Sequence, residues 1–173
     1  MLDRGYIQVY TGNGKGKTTA AFGLSLRAAG AGLKVFICQF LKHGEYSELT
    51  AFERFSDLIT VEQFGAQGFI IRGVRPEDRE NGARGIARAH EVLSSGAYDV
   101  VVLDEFNLLL SLGVVSLSDG LALLEQKPSH VELILTGRNA PREIIEHADL
   151  VTEMVEVKHY YADGVPARRG IEK

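Results

Sequence analysis

The strongest constraint on this chain is a single stretch. Residues 9–28 read VYTGNGKGKTTAAFGLSLRA, a β-prone run that passes through a glycine-rich loop ending Gly-Lys-Thr and continues as an alanine- and leucine-rich helical pattern. A strand that feeds a helix through such a loop gathers backbone N–H groups in front of the helix N-terminus, an arrangement suited to phosphate oxygens. Gly12, Gly14 and Gly16 permit the dihedrals and the close approach, Lys17 supplies a cation, and the Thr18 hydroxyl can hold a magnesium ion. Loops of this kind usually begin with glycine five positions before Gly16; here that position is Thr11, which removes no phosphate donor and changes only the hinge.

Elsewhere, β-rich runs alternate with helical ones. YIQVYT (Tyr6 to Thr11), KVFICQF (Lys34 to Phe40), ITVEQF (Ile59 to Phe64), DVVVLD (Asp99 to Asp104), VELILT (Val131 to Thr136) and LVTEMV (Leu150 to Val155) have the Val, Ile and aromatic content of strands. Helices are predicted over Lys17 to Ala29, with Ala20, Ala21, Leu24 and Ala28 at helical spacing, and over Pro76 to Leu93, which opens with Pro-Glu-Asp. Shorter ones fit Ser118 to Gln126 and Pro141 to His147. VVVL is apolar at consecutive positions, as in strands covered on both faces. The expected fold is therefore α/β, a three-layer P-loop NTPase-like (RecA-like) sandwich around a mostly parallel six-stranded sheet.

Composition narrows the function. At 173 residues and 45% hydrophobic, the chain can bury one sizeable core and is short for two, so residues 1–173 are expected to form a single domain. A net charge of -4 without a sustained Lys/Arg run argues against a nucleic-acid platform. Cys38, the lone cysteine, lies among apolar residues and reads as an inert buried thiol. No signal pattern and no membrane-length apolar run is evident, which predicts a cytoplasmic protein with no membrane partner.

A second chemical element is DVVVLDEF, which puts Asp104 and Glu105 at the end of a buried strand; a parallel neighbour would set them close to Thr18 and a bound cation. Alone, an acidic strand end is often only a loop start; joined to the phosphate loop, it reads as a Walker B strand. The segment from Gly44 to Arg75 contains GAQGFIIRG, which is open to two readings: a surface turn whose Phe69 and Ile71 tuck into the core, or a loop shaped to a ligand. Lys158 and His159 invite a metal or proton-transfer role, but the five histidines and one cysteine form no ligand cluster, and His159 is expected to be structural or substrate-positioning, the former preferred.

Taken together, GNGKGKTTAAFG, VVVLDEFN, LILTGRNAP, ADLVTEM and the tail VKHYYADGVPARRGIE resemble the ATP:corrinoid adenosyltransferases of the CobA/BtuR/CobO family, from about Tyr6 to Glu172. The phosphate loop and acidic strand are common to many NTPases, whereas TGRNAP followed by VKH and GIE is specific to this family. The resemblance implies a reaction in which cobalt(I) of a reduced corrinoid attacks the 5′ carbon of ATP and triphosphate leaves. It implies that Gly12, Asn13, Gly14, Lys15, Gly16, Lys17, Thr18 and Thr19 form the triphosphate site, that Lys17 and Glu105 are catalytic, and that Arg138 reaches the nucleotide. Thr18, Asp104 and Glu105 would serve magnesium, with manganese as the alternative ion. Many relatives carry Gly-Phe-Thr-Trp where this chain has Gly68, Phe69, Ile70 and Ile71, so Phe69 and Ile71 are the expected corrinoid contacts, with an aliphatic side chain at the tryptophan position. The family also implies a flavoprotein reductant and a homodimer.

Two other classes share part of these features. A P-loop ATPase or small-molecule kinase would use the same loop and acidic strand and release ADP; a non-catalytic nucleotide-binding module would share the fold without corrinoid-dependent turnover.

Overall fold

The computed structural model describes residues 2–66 and 73–172. Among these residues six strands form: β1 (Ile7–Thr11), β2 (Val35–Phe40), β3 (Ile59–Phe64), β4 (Val100–Asp104), β5 (Glu132–Thr136) and β6 (Leu150–Glu153). They build one sheet in the order β3-β2-β4-β5-β1-β6. Every neighbouring pair runs parallel, so the sheet is wholly rather than mostly parallel. All six predicted strands are present, with ends trimmed by a residue or two.

Helices cover both faces, which is why the central strands tolerate no polar alternation. Every residue of β2 and β4 is buried. The two-residue period of a strand then divides the core. Val101 and Leu103 face one layer with Ile86, Ala89 and Leu93 of α3 (Pro76–Ser95) and Leu123 of α5 (Leu117–Glu125). Val100 and Val102 face the other, with Ala21, Phe22 and Ala28 of α1 (Lys17–Gly30). In α3, Pro76 occupies the first helical turn and the Asp78 carboxylate accepts the Arg75 backbone N–H at 2.9 Å, while Gly96 closes the other end at φ 65.

Two short helices lie outside the predicted set. One, α2 (Ser47–Phe52), runs on into a 3₁₀ turn at Glu53–Phe55; the other, α4 (Phe106–Ser111), starts directly after Glu105. The α4 sequence FNLLLS is too short and too apolar to show helical periodicity, and it is helical because Phe106, Leu109 and Leu110 insert into the core. Truncation of the fully buried Phe106 to alanine would cost about 3–5 kcal/mol. With α6 (Arg142–His147) leading into β6, all six strands end at one edge of the sheet, where ligands of open α/β sheets bind. No helix of the described residues is long and apolar enough to cross a membrane.

Candidate functional site

The loop from Gly12 to Gly16 joins β1 to α1 at that edge. Gly16, at φ 122, is in a conformation that a side chain strains. Gly14 is needed for a different reason: a Cβ there would lie 2.7 Å from the Met154 carbonyl oxygen. That proximity is a clamp. The Gly14 N–H donates to the Met154 carbonyl at 2.7 Å, and the Met154 N–H donates to the Thr11 carbonyl at 2.8 Å. This turn inward ends β6 at Glu153 rather than at the predicted Val155.

Thr11 does more than alter a hinge. It is 8% exposed, and its Oγ1 accepts the Ala140 N–H at 3.2 Å, tying the phosphate loop to the segment that follows β5 and carries Arg138. Glycine could not make that contact.

Lys17 lies back over its own loop, donating from Nζ to the Gly12 carbonyl at 2.8 Å and the Gly14 carbonyl at 2.7 Å. Burial holds its pKa below the ordinary lysine value; the Glu105 carboxylate opposes that shift and the Arg138 guanidinium adds to it. Arg138 itself is exposed, at the edge of this charge cluster.

The acidic strand meets the loop by an indirect route. β5 stands between β1 and β4, so β4 is not the neighbour of the phosphate-loop strand that the sequence led us to expect. Thr18 Oγ1 nevertheless donates to Asp104 Oδ1 at 2.8 Å, because the first turn of α1 leans across the sheet edge. The inserted strand contributes Thr136, whose hydroxyl donates to the same Asp104 oxygen at 2.7 Å and accepts the Glu105 N–H at 3.0 Å. Glu105 is thereby fixed at φ 62, the left-handed conformation, as the chain leaves β4 for α4. Burial, then the Asp104 charge, raises the Glu105 carboxyl above the usual carboxylate range, while Lys42, Lys17 and Arg138 pull it down.

Asp104 is fully buried and its other oxygen, Oδ2, is also occupied. Lys42 Nζ is 2.6 Å from it, and Gln39 Nε2 lies at 3.4 Å, itself supported by Gln63 donating to Gln39 Oε1 at 3.0 Å. Burial works against the Lys42 charge, but the charge and hydrogen bond of Asp104 outweigh it and hold the ammonium above its ordinary value.

The C-terminal tail reaches the same loop. Lys15 Nζ donates to the Ile171 carbonyl at 3.1 Å and is 3.8 Å from Glu172, which Arg168 and the Tyr160 hydroxyl also bind. His159 accepts the Tyr161 N–H at 3.0 Å through Nδ1 and so shapes this tail. Asn13 and Thr19 are exposed, the one on the loop and the other on the first turn of α1. Phe69 and Ile71 lie outside the described residues. No group of three or more His, Cys, Asp or Glu side chains converges as a metal site among the described residues.

Sequence reasoning missed Lys42, Gln39, Thr136 and Met154 as parts of this site. Thr136 stood at the head of the TGRNAP stretch, and a polar residue ending a buried strand was the available signal; Lys42 gave none.

The fold and this loop define a class: a phosphate-loop α/β sandwich with one strand inserted between the loop strand and the acidic strand. Residues 3–172 match the model of the ATP:corrinoid adenosyltransferase BtuR/CobO/CobP family, and the chain belongs to that family. It is 37% identical to a corrinoid adenosyltransferase of Pseudomonas aeruginosa, over 98% of this chain and 84% of that protein. It is 38% identical to a corrinoid adenosyltransferase of Escherichia coli K12 and 36% identical to corrinoid adenosyltransferase CobA of Salmonella typhimurium, each over 98% of this chain and 86% of the relative.

Proposed function

We propose that the protein transfers the 5′-deoxyadenosyl group of ATP to cobalt(I) of a reduced corrinoid of the cob(I)alamin type, releasing triphosphate. Cobalt(I) supplies the electron pair of the new cobalt–carbon bond, the bond from the 5′ carbon to its oxygen breaks, and triphosphate leaves with that pair. Such a displacement asks the protein for no nucleophile or base, only for position and for neutralisation of the leaving group. The observation that carries this reading is the Thr18–Asp104 hydrogen bond, which joins the phosphate loop to the acidic strand in a family member.

In this reading Lys17 exchanges the Gly12 and Gly14 carbonyls for phosphate oxygens, and the loop N–H groups from Asn13 to Thr19 cradle the triphosphate, except that of Gly14, which the Met154 carbonyl holds to shape the loop. Lys15 lies on the rim and Arg138 approaches from the segment tied to Thr11. Magnesium, when bound, supplies further charge neutralisation. The residues fit it: the Thr18 hydroxyl and the Asp104 and Glu105 carboxylates are the hard oxygen donors, and this ion normally takes one or two protein carboxylates and leaves other positions to water and phosphate. The Glu105 carboxylate, which accepts no hydrogen bond among the described residues, is the group free to serve it. Phe69 and Ile71 are the proposed contacts to the lower face of the corrin. The same reading carries a flavoprotein reductant, a homodimer and a cytoplasmic setting.

The test is anaerobic incubation with ATP, magnesium and chemically reduced cobalamin. Formation of the cobalt–carbon bond, followed spectroscopically, in step with inorganic triphosphate is expected. Stoichiometric ADP without that bond would replace the proposal with a P-loop kinase or ATPase.

A further inference from the structure

We propose that Lys42 is a second phosphate-binding lysine of this site, a direct contact of the triphosphate delivered from β2 and held in place by Asp104. The inference rests on the adenosyltransferase reading only in taking a nucleotide triphosphate as the ligand.

Lys42 and Thr18 occupy neighbouring oxygens of one carboxylate, Lys42 at 2.6 Å from Oδ2 and Thr18 at 2.8 Å from Oδ1. The ammonium therefore stands beside the hydroxyl that opens α1, at the mouth of the phosphate cradle. An ammonium has three N–H donors. Among the described residues one is spent on Asp104, and the only other polar-face contact is the Tyr46 ring, 5.8 Å from Nζ. The side chain keeps 17% of its surface exposed, at the edge where the strands end.

Thr18, Thr136 and Gln39 are neutral donors to Asp104 and Lys42 is its counter-ion, a pairing that occupies one N–H of the ammonium and leaves two for an anion. Lys17, Lys42 and Arg138 all act on Glu105, so cations from three separate segments gather at this edge, with Asp104 and Glu105 between them, Glu48 towards Lys42 and Glu156 towards Lys17.

The backbone is built to hold the lysine here. Leu41, just before it, has φ 56, uncommon for a branched residue, and its N–H donates to the Phe64 carbonyl at 3.2 Å. Behind it, a Cβ on Gly65 would lie 2.3 Å from the Lys42 backbone nitrogen, so the chain leaving β3 packs directly on the lysine backbone. Reversal at Leu41 and close packing at Gly65 fix where the side chain starts.

Calorimetric titration with inorganic tripolyphosphate, in parallel with adenosine and at several salt concentrations, tests this on the full chain. Lys42→Met is expected to weaken tripolyphosphate tenfold or more and to flatten its salt dependence, leaving adenosine unchanged; Lys42→Arg should retain the salt dependence. Unchanged tripolyphosphate affinity in a folded Lys42→Met variant overturns the proposal. If that variant fails to fold because Asp104 is left buried and unpaired, Lys42→Met is made on Asp104→Asn. A further tenfold loss relative to Asp104→Asn alone then supports the phosphate contact, and equal affinity overturns it. Wild-type protein that binds tripolyphosphate yet forms no cobalt–carbon bond would remove the adenosyl-transfer reading while leaving the Lys42 comparison valid.

Discussion

Thr18 and Asp104 are 86 positions apart in the chain and share a hydrogen bond of 2.8 Å, the joint at which two halves of a phosphate site meet. The strand that leads to Thr18, β1, is not adjacent to β4, which carries Asp104; the hydroxyl of Thr136, from the strand between, completes the joint.

Lys17 donates to the Gly12 and Gly14 carbonyls, and on the proposed function its loss would remove a preorganised contact with the departing triphosphate. Lys17→Ala should lower turnover by about two orders of magnitude, or roughly 3 kcal/mol, measured as corrinoid adenosylation under saturating ATP. Glu105→Ala should raise the magnesium concentration needed for half-maximal rate; an unchanged magnesium titration would make Glu105 a purely structural residue.

Thr11→Gly restores the usual first residue of such loops and removes the hydroxyl that accepts the Ala140 N–H. The expected loss is about 1–2 kcal/mol, from one hydrogen bond and the added freedom of glycine. Calorimetry should show a melting temperature lower by roughly 2–8 °C. Since the same bond steadies the Arg138 segment, KM for ATP should rise with little change in kcat. Equal melting temperature and equal KM would mean that the contact has no energetic weight.

At the start of α3, hydrogen bonds from the Arg75 side chain, against the opposing effect of burial, hold the Asp78 carboxyl below the usual aspartate value. A carboxyl depressed in the folded state stabilises fully above its unfolded pKa, near pH 4, and loses that contribution as pH falls through the folded value. Asp78→Asn should therefore melt below wild type at pH 7, and the gap should close as the pH is taken below about 4. A gap independent of pH would assign the effect to packing.

On the proposal that Ile71 contacts the lower face of the corrin where many relatives carry tryptophan, Ile71→Trp should change activity measured from cobalt(II) substrate with a reductase more than activity measured from pre-reduced cobalt(I). Equal effects in the two assays would sink that role.

The sequence was most legible where chemistry is contiguous. Gly12 to Thr19 and the Asp104–Glu105 pair could be read directly, and the Val/Ile runs marked the strands because burial on both faces keeps β2 and β4 apolar except for Gln39 and Asp104 at the site edge. Strand order was not legible. The expectation of β4 beside β1 failed because β5 inserts between them, and nothing local to Thr136 records its neighbours. Lys42 follows an apolar strand like any loop lysine; its meaning depends on the φ reversal at Leu41 and on which strand carries Asp104 next door. The short helices α2 and α4 escaped because tertiary packing, rather than periodicity, makes them helical.

The clamp between Gly14 and Met154 sets a timetable for the site. Gly14 leaves the ribosome early and Met154 near the end; at typical elongation rates of about 5–20 residues per second, the gap between them is roughly ten to thirty seconds. During that interval the glycine-rich sequence exists without the Met154 carbonyl, and for most of it β1 lacks both of its sheet neighbours, β5 and β6. A chain cut before β6 keeps the full phosphate-loop sequence but lacks the carbonyl that Gly14 binds, and is expected to bind ATP more weakly than the full chain.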